Sequence, residues 1–282
     1  MFNYNKFWYN FNKNYKKDIK VKLQQLIELL KKGITRSLFK KKLYDIYPDL
    51  DFDTAIELLK AQGLPVIEKN QMFYLSTSFS DYKDETFCIV DIETNGSKPE
   101  NSQIIEIGAV KIKNGEIIDT FNELVKTNYI PEFVQDITGI TENMVKNAKT
   151  QKEVLKKFKE FIGDAIFVAH DSYFDFNYIK SQLQKEGLGE LLNLEICTLT
   201  LSKKTIEATR YGLKYLTEEL DLPKEPLHRA LGDAKTTGRI MLIGFEKLPE
   251  NIKNTNDLIE FAKGSRTIKN KVLKKQKKKP KS

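Results

Sequence analysis

The sequence predicts a mixed α/β fold, in which a sheet of parallel and antiparallel strands is flanked by helices and preceded by a small helical domain. Two observations predict this fold. From residue 87 onward, short apolar runs typical of buried strands alternate with segments of helical periodicity. Before residue 80, helical segments predominate and end in one hairpin. The 282 residues are enough for about two domains.

The helical domain is predicted over residues 18–80. Apolar side chains recur at helical spacing over residues 18–32, a second helix is predicted over residues 37–47, and a third begins with Asp53 as its N-cap. Two apolar runs then flank Lys69-Asn70, which indicates a hairpin. Three helices followed by a hairpin is the order of a winged-helix module, and a generic helical cap fits it as well.

The mixed sheet is predicted in a domain that covers residues 85–246. Asn114-Gly115 between two apolar runs is a strong hairpin signal, so the first three strands are predicted to be antiparallel. The last two strands lie in helical crossovers. The predicted strands are residues 87–93, 104–112, 115–125, 165–170 and 194–198. The predicted helices are residues 152–161, 174–185, 213–220 and 229–243.

Charge is distributed unevenly along the chain, whose net charge is +8. Residues 1–80 carry 14 basic and 8 acidic side chains, and residues 266–282 carry nine basic and no acidic ones. Residues 81–265 hold 24 basic and 31 acidic side chains. Basic ends suit a polyanion such as nucleic acid. An acidic middle repels a polyanion unless metal ions neutralise its carboxylates.

The two ends are predicted to lie outside the domains. Residues 1–17 form an arm with seven aromatic side chains, which either stacks on nucleic-acid bases or packs on a domain. Residues 247–282 form a basic, disordered tail. The tail either binds nucleic acid or only solubilises the chain.

Composition excludes several classes of protein. Cys88 and Cys197 are isolated, which argues against a disulfide scaffold and a cysteine zinc site. No apolar run approaches the ~20 residues that span a bilayer, and the N-terminus does not have the pattern of a secretory signal. We therefore expect a cytoplasmic protein that does not contact a membrane.

Two carboxylates lie at the end of the first predicted strand. Asp91 and Glu93 follow an apolar run, and side chains at i and i+2 of a strand point to the same face. Burying an unpaired carboxylate costs several kcal/mol. The pair is therefore either a surface pair at a strand end or part of a site.

Two further aspartates lie at the starts of predicted helices. Asp175 follows the fourth strand, and Asp233 lies near the start of the last helix. Asp175 lies at a helix start, where the helix dipole favours an acid in any case. His228 and Asp233 are five residues apart, a rotation of about 140° on a helix. They can share a site only if His228 lies on the loop that enters the helix. An ordinary loop histidine is the alternative.

Taken together, the three clusters predict a metal site, because open α/β sheets bind ligands at the carboxyl ends of their strands. Oxygen ligands suit Mg²⁺ or Mn²⁺. Two such ions about 3.5–4 Å apart can clamp the attacking and leaving oxygens of a phosphodiester. A histidine beside them can accept the proton of the attacking water.

At these residues the sequence resembles the DEDDh 3′→5′ exonucleases, in particular the epsilon subunit type of DNA polymerase III. The resemblance covers about residues 86–244. Its three motifs, in order, are Asp91-Ile92-Glu93-Thr94, residues 169–175 (AHDSYFD) and residues 228–234 (HRALGDA). Residues 103–112 and 137–141 also resemble the family. Asp171 stands where the family usually has Asn.

The resemblance implies an RNase H-like fold and a role for each matching residue. The ligands of two ions, Mg²⁺ or Mn²⁺, would be Asp91, Glu93, Asp175 and Asp233. His228 would be the general base, and Thr94 and Phe174 would contact the terminal nucleotide. His170 would have a structural role.

The implied reaction is hydrolysis of the terminal phosphodiester of single-stranded or frayed DNA, which releases 5′-mononucleotides during replication proofreading or repair. A replicative polymerase subunit is the implied partner. Two alternatives stay open, namely an exoribonuclease that trims RNA 3′ ends and a nucleic-acid-binding protein without catalysis. Sugar preference depends on contacts to the 2′-OH, which the sequence does not define.

Overall fold

The computed structural model of the chain describes residues 4–225 and 228–263, with side chains from residue 18 onward. In this part of the chain a small three-stranded sheet is followed by a five-stranded one. Within the described residues, no helix combines the length and the apolar character needed to cross a membrane. The predicted basic tail from residue 264 onward lies outside the described residues.

The N-terminal region has the predicted order of elements, with one additional strand. Its elements are α1 (Tyr4–Lys32), β1 (Ile34–Thr35), α2 (Arg36–Ile46), α3 (Phe52–Ala61), β2 (Val66–Lys69) and β3 (Met72–Leu75). The three strands are antiparallel, in the order β1-β3-β2. The hairpin between β2 and β3 turns at Asn70 and Gln71, whose φ angles of 52° and 63° are those of a type I′ turn.

Two boundaries in this region differ from the prediction. The N-cap of α3 is Asp51, whose side chain accepts hydrogen bonds from the backbone N–H groups of Asp53 and Thr54 at 3.1 and 2.9 Å. Asp53 lies in the first helical turn, where an acid also complements the dipole. Helix α1 begins at Tyr4, within the predicted arm of residues 1–17, whose side chains lie outside the described part of the chain.

The five-stranded sheet confirms the predicted fold class. Its strands are β4 (Thr86–Thr94), β5 (Ile104–Lys113), β6 (Glu116–Leu124), β7 (Ile166–Ala169) and β8 (Glu195–Cys197). Their order is β6-β5-β4-β7-β8. The first three are antiparallel, β7 is parallel to β4, and β8 is parallel to β7. This is the mixed sheet of an RNase H-like fold.

Eight helices follow the third strand of this sheet in the described residues. They are α4 (Glu132–Thr138), α5 (Glu142–Val145), α6 (Gln151–Ile162), α7 (Ser172–Lys185), α8 (Thr198–Thr205), α9 (Leu213–Glu219), α10 (Ala230–Phe245) and α11 (Thr255–Ala262). Of these, α4, α5, α8 and α11 were not predicted. They are at most eight residues long, which is shorter than the window of about 11–18 residues in which helical periodicity is clear. Helix α9 is as short, but its existence was predicted.

Helix α11 corrects the predicted start of the basic tail. A capping box joins Asn254 and Asp257 at its N-terminus. Leu258 and Ile259 are buried in the core. The chain therefore stays packed at least to residue 262, because this segment has apolar side chains to bury, whereas the continuous basic run begins only after it.

Alternation along β4 assigns its side chains to two cores. Phe87 and Ile89 belong to the core that also contains residues of α10, and Cys88 and Val90 belong to the core under α6 and α7. Odd-numbered positions of β4 therefore face α10. By this period of two, Asp91 and Glu93 face α10 as well.

The N-terminal region and the sheet share one core. Leu26 and Leu59 lie in the same buried cluster as Ile89, Ile196 and Ile259. The contact also includes polar bonds, since the backbone N–H of Leu192 donates to the carbonyl oxygen of Gln62 at 2.7 Å. Lys31 donates to Glu260 at 2.8 Å.

Gly63 lies tightly against the side chain of Asn193 where the two regions meet, and Gly63→Ala is expected to destabilise the protein. Its φ of +93° is strained for alanine, and a Cβ there would lie 2.1 Å from Oδ1 of Asn193. Asn193 cannot easily move, because its amide donates to the carbonyl oxygens of Gly163 and Ala165. We expect a loss of about 2–5 kcal/mol, which combines backbone strain with overpacking. Chemical denaturation measures it.

Gly187→Ala is the matched control, since Gly187 also has a positive φ, of +69°, but no atom lies within 4 Å of the point that a Cβ would occupy there. It should cost only the strain of about 1–2 kcal/mol. Equal losses in the two variants would contradict the tight contact at Gly63.

Candidate active site

Strand β4 carries the first two acidic side chains to the edge of the sheet. In the antiparallel pair with β5, Asp91 lies opposite Gly108 and Glu93 lies opposite Glu106. The register shifts directly after Glu93, where β4 ends its regular pairing. Both carboxylates are partly buried on the face toward α10. Glycine opposite Asp91 leaves this face open to the helix.

Helix α7 brings the third carboxylate to the same strand. Asp175 lies in its first turn and is 5% exposed. The backbone N–H groups of Ile92 and of Asp175 itself donate to its carboxyl group. The N-cap of α7 is Asp171, with left-handed φ and ψ of 75° and 57°. Asp and Asn are the non-glycine residues that tolerate this conformation best, so Asp171 can replace the usual Asn of the family.

Helix α10 supplies the last two groups. Asp233 lies in its first turn, and His228 precedes the helix with a φ of 55°. His228 therefore lies on the loop that enters the helix, which is the position it needs in order to share a site with Asp233. Ligand atoms of Glu93, His228 and Asp233 all lie within 4.8 Å of one another. Asp91 and Asp175 are not members of this group of three, but they are close enough for charge interactions with its acids.

The carboxylates are close enough to perturb one another. Loss of hydration raises the pKa of Asp91 well above its ordinary value, and the charges of Asp175 and Asp233 raise it further. Burial, and then the charge of Asp233, raise the pKa of Glu93 to about 8. Burial raises the pKa of Asp175 to about 8, and it also raises the pKa of Asp233.

These shifts test whether the residues suit a metal. Carboxylates that repel one another in a partly dehydrated site are stabilised by a divalent cation, and their oxygens are the donors that Mg²⁺ and Mn²⁺ prefer. The donor set therefore fits a divalent ion.

The predicted nucleotide contacts lie next to these carboxylates. Thr94 follows Glu93 at the end of β4 and is partly exposed. Phe174 precedes Asp175, is 38% exposed, and packs against Tyr178 with ring centroids 5.5 Å apart. An exposed ring beside the acidic cluster is available for stacking.

His170 is held away from the acidic group. Its Nδ1 lies 3.0 Å from the hydroxyl of Thr198, and its Nε2 lies 2.8 Å from the carbonyl oxygen of Tyr211. Burial lowers the pKa of this imidazole. Both ring nitrogens are therefore engaged in hydrogen bonds that connect β7, α8 and the loop before α9.

Sequence reasoning missed three charged residues near the site. Glu106 is buried on β5, and its signal was an acid within the apolar run 104–112. Lys214 and Lys224 line a cavity of about 160 Å³ together with Asp233. The lysines gave no signal, because they are far from Asp233 in sequence and basic side chains are frequent in this chain.

A mixed sheet with a cluster of carboxylates and one histidine at the end of its central strand defines an α/β protein with a site of the nuclease class. The profile of the exonuclease family (RNase_T) matches residues 88–241, more than half of the chain. The chain belongs to this exonuclease family. The match confirms the resemblance to the DEDDh 3′→5′ exonucleases.

Several curated relatives are DNA polymerases III of the PolC type. The DNA polymerase III PolC-type of Clostridium perfringens is 40% identical over 172 residues, which are 60% of this chain and 12% of the relative. That of Caldanaerobacter subterraneus is 38% identical over 217 residues, 73% of this chain and 15% of the relative. The chain thus spans about one seventh of the length of the relatives it matches.

Solved structures share the fold. Escherichia coli exonuclease I in complex with a dT13 oligonucleotide is 16% identical, with a TM-score of 0.51 over 58% of this chain and 41% of that chain. Its zinc-bound form with single-stranded DNA gives a TM-score of 0.53 at 16% identity, over 59% and 42% of the two chains. At this identity the likeness concerns the fold.

The metal-free protein is expected to lose stability as the pH rises from about 5 to about 8. A free carboxyl group titrates near pH ~4, whereas burial raises the pKa of Glu93 and Asp175 to about 8. In this window the folded state binds more protons than the unfolded state, so the free energy of unfolding falls with rising pH. Mg²⁺ or Mn²⁺ should raise Tm more at about pH 8 than at about pH 6, where protons compete. Thermal melts with EDTA or with each ion measure both effects.

Asp91→Asn should flatten this pH dependence and remove most of the metal response, because it removes one of the interacting charges. Asp119→Asn changes an exposed carboxyl on β6 and should alter neither. A metal response of equal size in wild type and Asp91→Asn would contradict a metal site at the end of β4.

Proposed function

We propose that the chain is a metal-dependent 3′→5′ exonuclease that hydrolyses the terminal phosphodiester of single-stranded or frayed DNA and releases 5′-mononucleotides. The observation that carries the proposal is the meeting of Glu93, His228 and Asp233 within 4.8 Å, beside Asp91 and Asp175. These groups come from β4, α7, α10 and the loop that enters α10, and all of them lie within the family match.

The four acids Asp91, Glu93, Asp175 and Asp233 would hold two divalent ions, Mg²⁺ or Mn²⁺. Ions bound there would stabilise the charge that develops on the attacking and leaving oxygens. Burial raises the pKa of all four acids, and repulsion from neighbouring acids adds to it at Asp91 and Glu93. Divalent cations relieve both effects, which supports this assignment. The backbone N–H groups at Asp175 hold one carboxyl in place for this task.

His228 is the general base in this proposal. It is exposed on the loop that enters α10, and a ring nitrogen lies within 4.8 Å of the carboxylates of Glu93 and Asp233. A water that approaches the terminal phosphate would therefore pass within reach of the imidazole, which accepts its proton. His170 is excluded from this role by its bonds to Thr198 and Tyr211.

Thr94 and Phe174 would hold the terminal nucleotide. Thr94 lies next to Glu93, and the exposed ring of Phe174 lies next to Asp175, so both border the acidic group. The ring can stack on the terminal base, a contact that tolerates every sequence. Such a site suits an enzyme that removes whichever nucleotide is at the strand end.

DNA is the proposed substrate because the similar curated relatives are DNA polymerases III of the PolC type. A role in replication proofreading or repair in the cytoplasm, with a polymerase as partner, follows from the same relatives. The order of the N-terminal elements supports a winged-helix domain, which would bind either nucleic acid or a protein.

A 3′-labelled single-stranded oligodeoxynucleotide should release labelled mononucleotide in the presence of Mg²⁺ or Mn²⁺. Asp233→Asn should lower the rate by about a hundredfold or more, because it removes several kcal/mol (~3 or more) of charge stabilisation. Asp119→Asn should leave it unchanged. Release that persists in EDTA or in Asp233→Asn would overturn the proposal, and faster release from RNA of the same sequence would reassign its substrate.

His228→Ala should lower kcat by about 10²–10⁴-fold, the usual contribution of a general base. The loss should appear in kcat rather than in KM, since His228 is proposed to act on the water and not to bind the nucleotide. His170→Gln is the comparison, because the amide can keep a bond to Thr198 or Tyr211, and it should retain most of the activity. Near-full kcat in His228→Ala would remove this histidine from the mechanism.

A further inference from the structure

Glu106 is a buried acid that the proposed reaction does not use. It is 1% exposed and lies on β5 directly opposite Glu93. Residues directly opposite in an antiparallel pair present their side chains to the same face. Glu106 therefore lies on the face toward α10, next to the acidic group. A carboxylate in this position needs partners, because burying it alone is costly.

Its partners all come from the start of α10. Nη2 of Arg229 donates to Oε1 of Glu106 at 2.7 Å, and Nε lies 3.3 and 3.2 Å from the two carboxylate oxygens. The backbone N–H of Ala230 donates to Oε2 at 3.0 Å. One carboxylate thus forms a two-point ion pair and also satisfies a free N–H of the first helical turn.

The first turn of α10 is packed tightly against β5. A Cβ on Gly108 would lie 2.0 Å from the backbone nitrogen of Leu231, so the backbone of α10 lies directly on β5. Asp233 is inside the helix, where its N–H donates to the carbonyl oxygen of Arg229 at 3.0 Å. Packing at Gly108 and the helical bonds therefore hold Asp233.

His228 is placed differently, because it lies outside the helix. It is exposed and has a φ of 55°, a conformation that is strained for histidine and persists only when its neighbours impose it. Its neighbour Arg229 is tied to Glu106 by three N–H contacts. The ion pair thus holds the residue that directly follows His228 in the chain.

We propose that the Glu106–Arg229 pair is a positioning device for His228, which holds the imidazole beside Glu93 and Asp233. The role attached to His228 rests on the proposed function. Neither Glu106 nor Arg229 touches the reacting atoms in this proposal. They act through the histidine, and removing the pair would leave the acidic ligands in place while the imidazole samples other orientations.

The number of histidines makes a direct test possible without turnover. The chain has two, His170 and His228. In ¹⁵N-histidine-labelled, metal-free protein, the imidazole spectrum contains one set of signals from each, and His228→Ala assigns them. Glu106→Gln and Arg229→Lys should shift the signals of His228 and leave those of His170, which is held by Thr198 and Tyr211, in place.

Kinetics on the labelled oligodeoxynucleotide give the second readout. Glu106→Gln and Arg229→Lys should each lower kcat about 10–100-fold, the usual effect of groups that orient a catalytic side chain, with KM changed less than about threefold. In a His228→Ala background, Glu106→Gln should change kcat less than about threefold, because the residue on which it acts is absent. A merely structural role would multiply the two losses.

Glu123→Gln is the matched control. Glu123 lies on β6, away from the site, and its Oε1 is 2.6 Å from Nζ of Lys149, so the substitution breaks an ion pair elsewhere in the protein. It should change neither the His228 signals nor kcat.

If Glu106→Gln does not fold, Arg229→Lys carries the test, because lysine keeps the charge and one bond to the carboxylate. Wild-type His228 signals in the pair variants, or equal kcat losses by Glu106→Gln in both backgrounds, would overturn the proposal. Absence of cleavage by wild type would refute the proposed function alone, and the spectra would still decide on the pair.

Discussion

Repulsion between carboxylates at the end of β4 is the constraint on which the rest of the site depends. Burial raises the pKa of Asp91, Glu93, Asp175 and Asp233, and at Asp91 and Glu93 the charges of the neighbouring acids raise it further. A fold gains no stability from such a cluster. The surrounding elements must therefore hold these side chains against their repulsion, and the arrangement is useful only when positive charge arrives in the form of cations.

The elements around the cluster oppose this repulsion in different ways. At Asp175, backbone N–H groups stabilise the ionised form and partly offset the cost of burial. At α10, close packing on Gly108 sets the distance between helix and strand. Glu106 accepts a hydrogen bond from the backbone N–H of Ala230 in the first turn of the helix. The acidic group is thus assembled by backbone contacts and by one ion pair whose carboxylate is buried. In the described residues the functional carboxylates are therefore free of competing salt bridges.

The N-terminal region is part of the same folded body as the exonuclease sheet. Leu26 and Leu59 share a core with Ile89 of β4 and Ile196 of β8, and Gly63 lies against Asn193. The apolar face of α11 closes this core from the C-terminal side. A region joined through so much buried apolar surface moves with the sheet, so whatever it binds is held at a defined orientation to the proposed active site.

Local sequence patterns were sufficient to predict many of the strands, turns and site residues of this protein. An apolar run interrupted by acids at i and i+2 located Asp91 and Glu93 on one face of a strand, since the strand period is two wherever it occurs. The hairpins at Asn70 and Asn114 followed from turn residues that adopt positive φ. The requirement that His228 lie on the entering loop followed from helix geometry alone. Family motifs then added the order in which the acidic positions occur.

Contacts between residues distant in the chain were not visible in those patterns. No sequence pattern connects Glu106 with Arg229, because the two residues are 123 positions apart and meet only in the folded protein. The sequence predicted Asp53 as the N-cap of α3, whereas the backbone makes Asp51 the cap and places Asp53 in the first turn. Helix α11 was assigned to a tail, because its few apolar residues acquire a core only from elements elsewhere in the chain. Periodicity reports what a segment can bury, whereas the partner that buries it depends on how the chain packs in three dimensions.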